Sequence, residues 1–277
     1  MKIRLMLLAV LASPGLAQAD ASLDAVGAVN NEIGLNLIST HMNYSETGNG
    51  SVGPAGAELD SEDGHVGGFA LDASLMQDIL FGRDYVALGY DRVHGSVTYT
   101  GATGADPVYG SAVEKSDDTT DNFHLRWGRG FAVRHWLVTP YLELGRHAWD
   151  RVVAPGLAIG LTENYTHDYY GIGTMVQVAP VRALVLTLRG LAGRTFDAGM
   201  TALGQNLSLG DSALYQIGLH ADYAIMPAVH LRAGIDYMQF DYGASPWVTD
   251  TLYGGWIAEP DSSTRLTTID AGVAYSF

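Results

Sequence analysis

The chain has 277 residues, among them 34 glycines and 15 tyrosines, with no cysteine and a formal net charge of −15. Without cysteine neither disulfides nor thiol chemistry can operate, and so acidic a chain is a poor partner for nucleic acid. Hydrophobic residues make up 47% of it, yet long apolar runs are few, and this balance argues against helices and for many alternating strands.

At the N-terminus Lys2 and Arg4 precede an apolar stretch over 5–16, and Ala17 and Ala19 take the small-residue positions of a cleavage site. This pattern predicts a secretory signal peptide over residues 1–19, cut after Ala19. The mature chain, 20–277, is then a single exported domain; losing Lys2 and Arg4 takes 15 basic residues to 13 against 30 acidic ones, a net charge of −17. No later segment approaches about 18 consecutive apolar residues, so no membrane-spanning helix is expected.

Period-two alternation then predicts ten strands, at 32–44, 65–76, 85–99, 122–133, 137–149, 165–178, 183–196, 214–224, 229–242 and 264–277. The apolar faces are clearest at Phe69/Leu71/Ala73/Leu75, at Phe123/Leu125/Trp127, at Ile217/Leu219/Ala221 and at Ile269/Ala271/Val273. The opposite faces carry Asp72, Arg126, Arg189, His220, Asp222, Arg232, Asp236 and Asp270. Connections alternate in length: short links such as 177–183 and 224–230 take turns with long polar ones at 45–64, 100–121, 150–164, 197–213 and 243–263.

Short turns on one side and long loops on the other are the layout of a closed antiparallel up-and-down transmembrane β-barrel, with turns in the periplasm and loops outside. Ten strands are expected, eight or twelve being the alternatives. An oily strand face can meet lipid only if the sheet closes, because every backbone group in hydrocarbon must be paired. A secreted β-sandwich or a lipocalin-like barrel also alternates, but it would bury the apolar face and expose the ionisable one. Tyr44, Tyr99, Trp149, Tyr165, Tyr169 and Tyr242 near the long-loop ends, and Trp136, Tyr223 and Phe277 near the turns, are expected to form two aromatic girdles.

With its N-terminal leader, its alternating loop lengths and its terminal Tyr275-Ser276-Phe277, the chain resembles the small outer-membrane β-barrel proteins of Gram-negative bacteria. The resemblance implies that Tyr275 and Phe277 present an assembly signal to the barrel-assembly machinery. It also implies a place in the outer membrane among its lipids and lipopolysaccharide, and an extracellular ligand, if any, held by the loops.

Several polar constellations follow from the strand pattern. A hairpin around Pro227 places Asp222 opposite Arg232 on the inner face, a pair suited to filling a narrow lumen. A two-residue turn at His135-Trp136 sets Arg126 opposite Gly145, diagonal to Glu143, and His124 opposite His147. If the next hairpin is symmetric about Leu157, His147 faces His167, and the row His124, His147, His167 could hold a divalent transition metal or respond to pH. A hydrated polar rim is the plainer reading, and no cofactor is otherwise required. The acidic runs Glu58/Asp60/Glu62/Asp63 and Glu114/Asp117/Asp118/Asp121 lack the spacing of a calcium loop and are expected to be solvated surface.

A non-enzymatic surface role is therefore expected: binding or adhesion through loops, membrane integrity, or a narrow pore for small solutes or cations. Two alternatives stand beside it. The chain resembles the omptin proteases in strand number and loop layout; these carry an Asp pair and an Asp-His pair facing each other at the outer rim. Their signature stretches are not present here, and the nearest groupings are His167-Asp168 and Asp91/His94. A lipid-modifying hydrolase would use the same rim. The third alternative is an autotransporter translocator, for which residues 20–31 are too short to supply both a passenger and a pore helix.

Overall fold

The computed structural model describes residues 16–80, 82–102, 108–153, 161–249 and 254–277. Ten long strands form the wall: β1 (Glu32–Thr47), β2 (Glu58–Gln77), β3 (Asp84–Gly101), β4 (Ala112–Arg129), β5 (Trp136–Val153), β6 (Leu161–Val181), β7 (Leu184–Ala202), β8 (Ala213–Met226), β9 (Val229–Tyr242) and β10 (Asp261–Ser276). Each pairs antiparallel with its sequence neighbours, and β10 pairs with β1 to close the barrel. All ten expected strands are present, but most run several residues further towards the long connections. The segments 58–64 and 112–121, expected in loops, are strand.

The strands hold between 14 and 21 residues, whereas about 9–11 tilted residues cross an apolar bilayer core. The surplus lies at the long-connection end. On the outer surface Ile33, Leu35 and Leu37 of β1 are exposed and apolar, and the next outward positions are Ser39, His41 and Asn43. The closing strand follows the same rule: Ile269, Val273 and Tyr275 are exposed while Asp270 is buried. Leu37 is 75% exposed and Ile172 69%, values that make sense for side chains in contact with lipid and not with a protein core.

The aromatic expectation divides. Trp136, Tyr223 and Phe277 do face outward near the short turns, with Tyr275 beside them. Tyr44, Trp149, Tyr165, Tyr169 and Tyr242, in contrast, are buried inside the barrel, because each shares the inward parity of its strand. Tyr99 likewise lies on the inner side, against Arg151. Exposed aromatic side chains on the strands above the turn end include instead Phe123, Tyr170, Phe196 and Tyr215.

One helix, α1 (Leu16–Val29), departs from the all-strand expectation. It packs at the short-turn end, where Val26 meets the inward side chains Leu137 and Val185. Asn30 and Gln177 exchange two buried hydrogen bonds at 2.8 and 3.1 Å, and Ser276 Oγ donates to Ala28 O. The expected cleavage point after Ala19 falls within this helix, and residues 1–15 lie outside the described part of the chain.

Candidate functional site in the barrel lumen

Three tiers of polar side chains occupy the interior. The uppermost centres on Arg151, whose strand parity points it inward two residues beyond Trp149. Its Nε donates to Glu62 Oε1 at 2.8 Å, Nη1 to Glu163 Oε2 at 2.8 Å and Glu46 Oε1 at 3.3 Å, and Nη2 to Asp60 Oδ2 at 3.2 Å. The guanidinium lies 4.9 Å from the Tyr44 ring centroid, adding a cation–π contact. Glu62 and Asp118 are thus buried, and Asp60 partly so, and not the solvated surface their acidic runs suggest, because extended strands carry them into the lumen.

Residues Ser245 and Glu259, between β9 and β10, reach this tier. Glu259 accepts a hydrogen bond from Tyr165 Oη at 2.7 Å, and its backbone N–H donates to Ser245 Oγ at 2.8 Å. Burial, reinforced by the nearby Glu163 charge, pushes the Glu259 carboxyl up to about 8, against the opposing pull of Tyr165 and Arg151. It is then largely protonated at neutral pH.

Below Arg151 the rings of Trp149 and Tyr165 stack at 5.1 Å, and those of Tyr165 and Tyr242 at 5.6 Å. His147 and His167 stand opposite each other as expected, their rings 5.3 Å apart, and His167 Nδ1 is 2.7 Å from Tyr242 Oη. His124 does not join them. The β4–β5 turn is at Arg134–His135, with Arg134 in the left-handed region at φ 58°, one residue earlier than expected. That slip sets His124 opposite Gly145 and Asn122 opposite His147. The His124 ring occupies space above Gly89, where any Cβ would collide with it. The three histidines therefore do not bring ligand atoms to within 4.8 Å of one another.

The same slip improves the neighbouring pair. Arg126 lies directly opposite Glu143, not diagonal to it, and its Nε donates to the Glu143 carboxylate at 2.5 Å with both side chains buried. Beneath lies a cavity of about 220 Å³ lined by groups including Asp91, His124, Arg189, His220 and Asp236. Arg189 donates to Asp236 at 2.8 Å, and His220 sits between Asp236 and Asp270.

In the lowest tier Asp222 and Arg232 are cross-strand partners as expected, but each engages a different group. Asp222 Oδ1 lies 2.8 Å from His230 Nδ1, while Arg232 Nη1 donates to both carboxylate oxygens of Asp72 at 2.7 Å. Arg232 reaches Asp72 by passing over Gly34, whose missing Cβ leaves the path open. His230 and Arg151 are participants that alternation alone does not single out, and Asp72, though on the inner face as expected, is not singled out as the partner of Arg232; continuing each strand's parity past its expected end finds Arg151.

The omptin-like groupings do not assemble. His167 points inward while Asp168 points outward to Arg146, and Asp91 is inward while His94 is exposed and beside Thr119. Successive residues of a strand face opposite sides.

No protein-family model matches the sequence, and no curated protein does. Among solved structures, the chain is similar to the outer membrane protease OmpT of Escherichia coli, at 10% identity over 89% of this chain and 95% of that one, with a TM-score of 0.54. It also aligns with the β domain of the Bordetella autotransporter BrkA, at 14% identity over 89% and 100%, TM-score 0.40. A third alignment is with Ail of Yersinia pestis, at 13% identity over 90% and 99%, TM-score 0.34. Ten strands, closure and a lipid-facing exterior together make this chain a protein of the outer-membrane β-barrel fold.

Proposed function

We propose that this protein is a sealed, non-enzymatic scaffold of the outer membrane, which displays its long connections and strand extensions outward for binding. In this reading Tyr275 and Phe277, exposed at the short-turn rim, serve the assembly machinery. The outer wall meets membrane lipid, and lipopolysaccharide borders its upper polar belt.

The observation that carries the proposal is the double closure of the lumen. At one end Arg151 is gripped by four carboxylates within an aromatic stack; at the other α1 packs into the mouth. Ten strands enclose a lumen that side chains can fill, whereas wide aqueous pores use about sixteen. This arrangement supports binding over the narrow-pore role.

Planar-bilayer recording of the purified barrel tests it directly. Absence of conductance steps is the expected result; reproducible steps with cation preference would replace the scaffold reading with a small pore. Incubation with peptide and lipid A substrates addresses the rim-hydrolase alternative, and turnover of either would overturn the non-enzymatic role.

A further inference from the structure

The lowest lumen tier contains a group of side chains that the scaffold role leaves unused. Glu32 at the start of β1, Asp222 of β8 and His230 of β9 converge so that one ligand atom from each lies within 4.8 Å of the others. His230 Nδ1 is 2.8 Å from Asp222 Oδ1 and 3.4 Å from Glu32 Oε2. Ligands about 2.0–2.1 Å from one tetrahedral ion lie about 3.3 Å apart, so these separations suit a shared ion.

Burial makes the convergence informative. The side chains are 4%, 7% and 3% exposed for Glu32, Asp222 and His230. Glu32 Oε2 and Asp222 Oδ2 lack a hydrogen-bond partner, and His230 Nδ1 meets only these two carboxylate groups. Buried acceptors without donors are costly. Charge points the same way: Glu32, Asp222 and Asp72 lie around the single guanidinium of Arg232, so when all three are ionised the carboxylates outnumber the cation beside them. A dication would offset the excess.

We propose that Glu32, Asp222 and His230 form a binding site for a divalent first-row transition ion near the short-turn end of the lumen. Two carboxylates and an imidazole favour zinc-like ions over calcium or magnesium, which prefer oxygen-only shells of higher number. Glu32 and Asp222 also line the central cavity, which gives water room to complete the coordination. Asp72 takes no part, being held by Arg232. The other acidic-histidine grouping, His220 with Asp236 and Asp270, is a weaker candidate because Arg189 already pairs with Asp236.

The test is refolding of the full mature chain into detergent with excess Zn(II), then gel filtration and metal analysis, with Co(II) as a visible-absorption reporter in parallel. About one retained ion per chain is expected, with a raised thermal midpoint relative to chelator-treated protein. His230→Gln, Asp222→Asn and Glu32→Gln should each lower affinity by about tenfold or more, whereas His147→Ala should leave it unchanged. Heat-modifiable gel migration confirms which variants have folded, so three independent substitutions guard against one that fails. No retained metal in the wild type, or undiminished affinity in the folded His230→Gln protein, would overturn the proposal. Loss in His147→Ala with retention in His230→Gln would also overturn it, by moving the ion to the histidine tier. Conductance does not enter this readout, so the outcome is separable from that of the scaffold reading.

Discussion

The two ends of the lumen solve the same problem in opposite ways. Both bury more carboxylates than cations within a wall surrounded by lipid. At the upper end a guanidinium fills the centre, Tyr44 and Tyr165 hydroxyls reach carboxylates, and Glu259 holds a proton. Asp60 Oδ1 and Glu62 Oε2 remain unpartnered there, yet their sister oxygens bind Arg151. At the lower end Arg232 is turned towards Asp72, and Glu32 and Asp222 converge on the single imidazole of His230, with Glu32 Oε2 and Asp222 Oδ2 left without a hydrogen bond. A central cation already built into the chain makes the upper cluster self-sufficient; the lower one has its cation displaced to the side.

Removing Arg151 should give the largest effect and would break the comparison at its strongest point. Arg151→Ala leaves Glu46, Asp60, Glu62 and Glu163 without their cation, and a loss of about 3–5 kcal/mol is expected in urea unfolding of the detergent-folded barrel. An unchanged midpoint would show that the upper cluster is not held by its guanidinium.

Glu259 sharpens the comparison through pH. Its folded carboxyl titrates at about 8, above the ordinary 4.5, so between those values the folded protein keeps a proton that the unfolded chain has released. This group's contribution to stability is therefore fully present below about 4.5 and declines as pH rises towards 8. Glu259→Gln should remove roughly 2–4 kcal/mol of that decline, one unit of differential protonation being about 1.4 kcal/mol. Parallel stability curves for the two proteins would rule out a protonated Glu259.

At the opposite end, Asn30→Ala removes both hydrogen bonds to Gln177, leaving its buried Oε1 without that donor and its Nε2 with the 3.3 Å bond to Thr187 Oγ1. The expected cost is about 1–3 kcal/mol, read as a lower unfolding midpoint and as faster proteolysis or labelling of α1. On the outer surface Arg146 and Asp168 form a 3.0 Å pair in which Arg146 is largely exposed. Arg146→Ala should change stability by only about 0–1 kcal/mol, and a shift as large as that of Arg151→Ala would deny that burial separates the lumen pairs from those outside.

Much of the wall was legible because strand alternation is a local property. The parity of Phe69, Leu71, Ile269 and Val273 places them on one face, and Asp222 opposite Arg232 follows from the tight turn at Pro227. Parity also misled where its scope was cut short. Tyr44, Trp149 and Tyr165 stand at the height of a lipid girdle, but their parity sends them inward.

Sequence by itself determined a closed barrel of alternating strands, its two unlike ends, and which residues alternate between lipid and lumen, since a two-residue period and turn-forming links are written along the chain; the structure set the count at ten. Only the tertiary structure decided which lumen groups meet. The β4–β5 register turned on one left-handed residue, Arg134, which separated His124 from His147 and joined Arg126 to Glu143. Arg232 chose Asp72, two strands beyond β10, and Arg151 gathered acids from β1, β2 and β6. Such choices depend on side-chain reach across a closed cylinder, where distant strands become neighbours, and no local pattern records that distance.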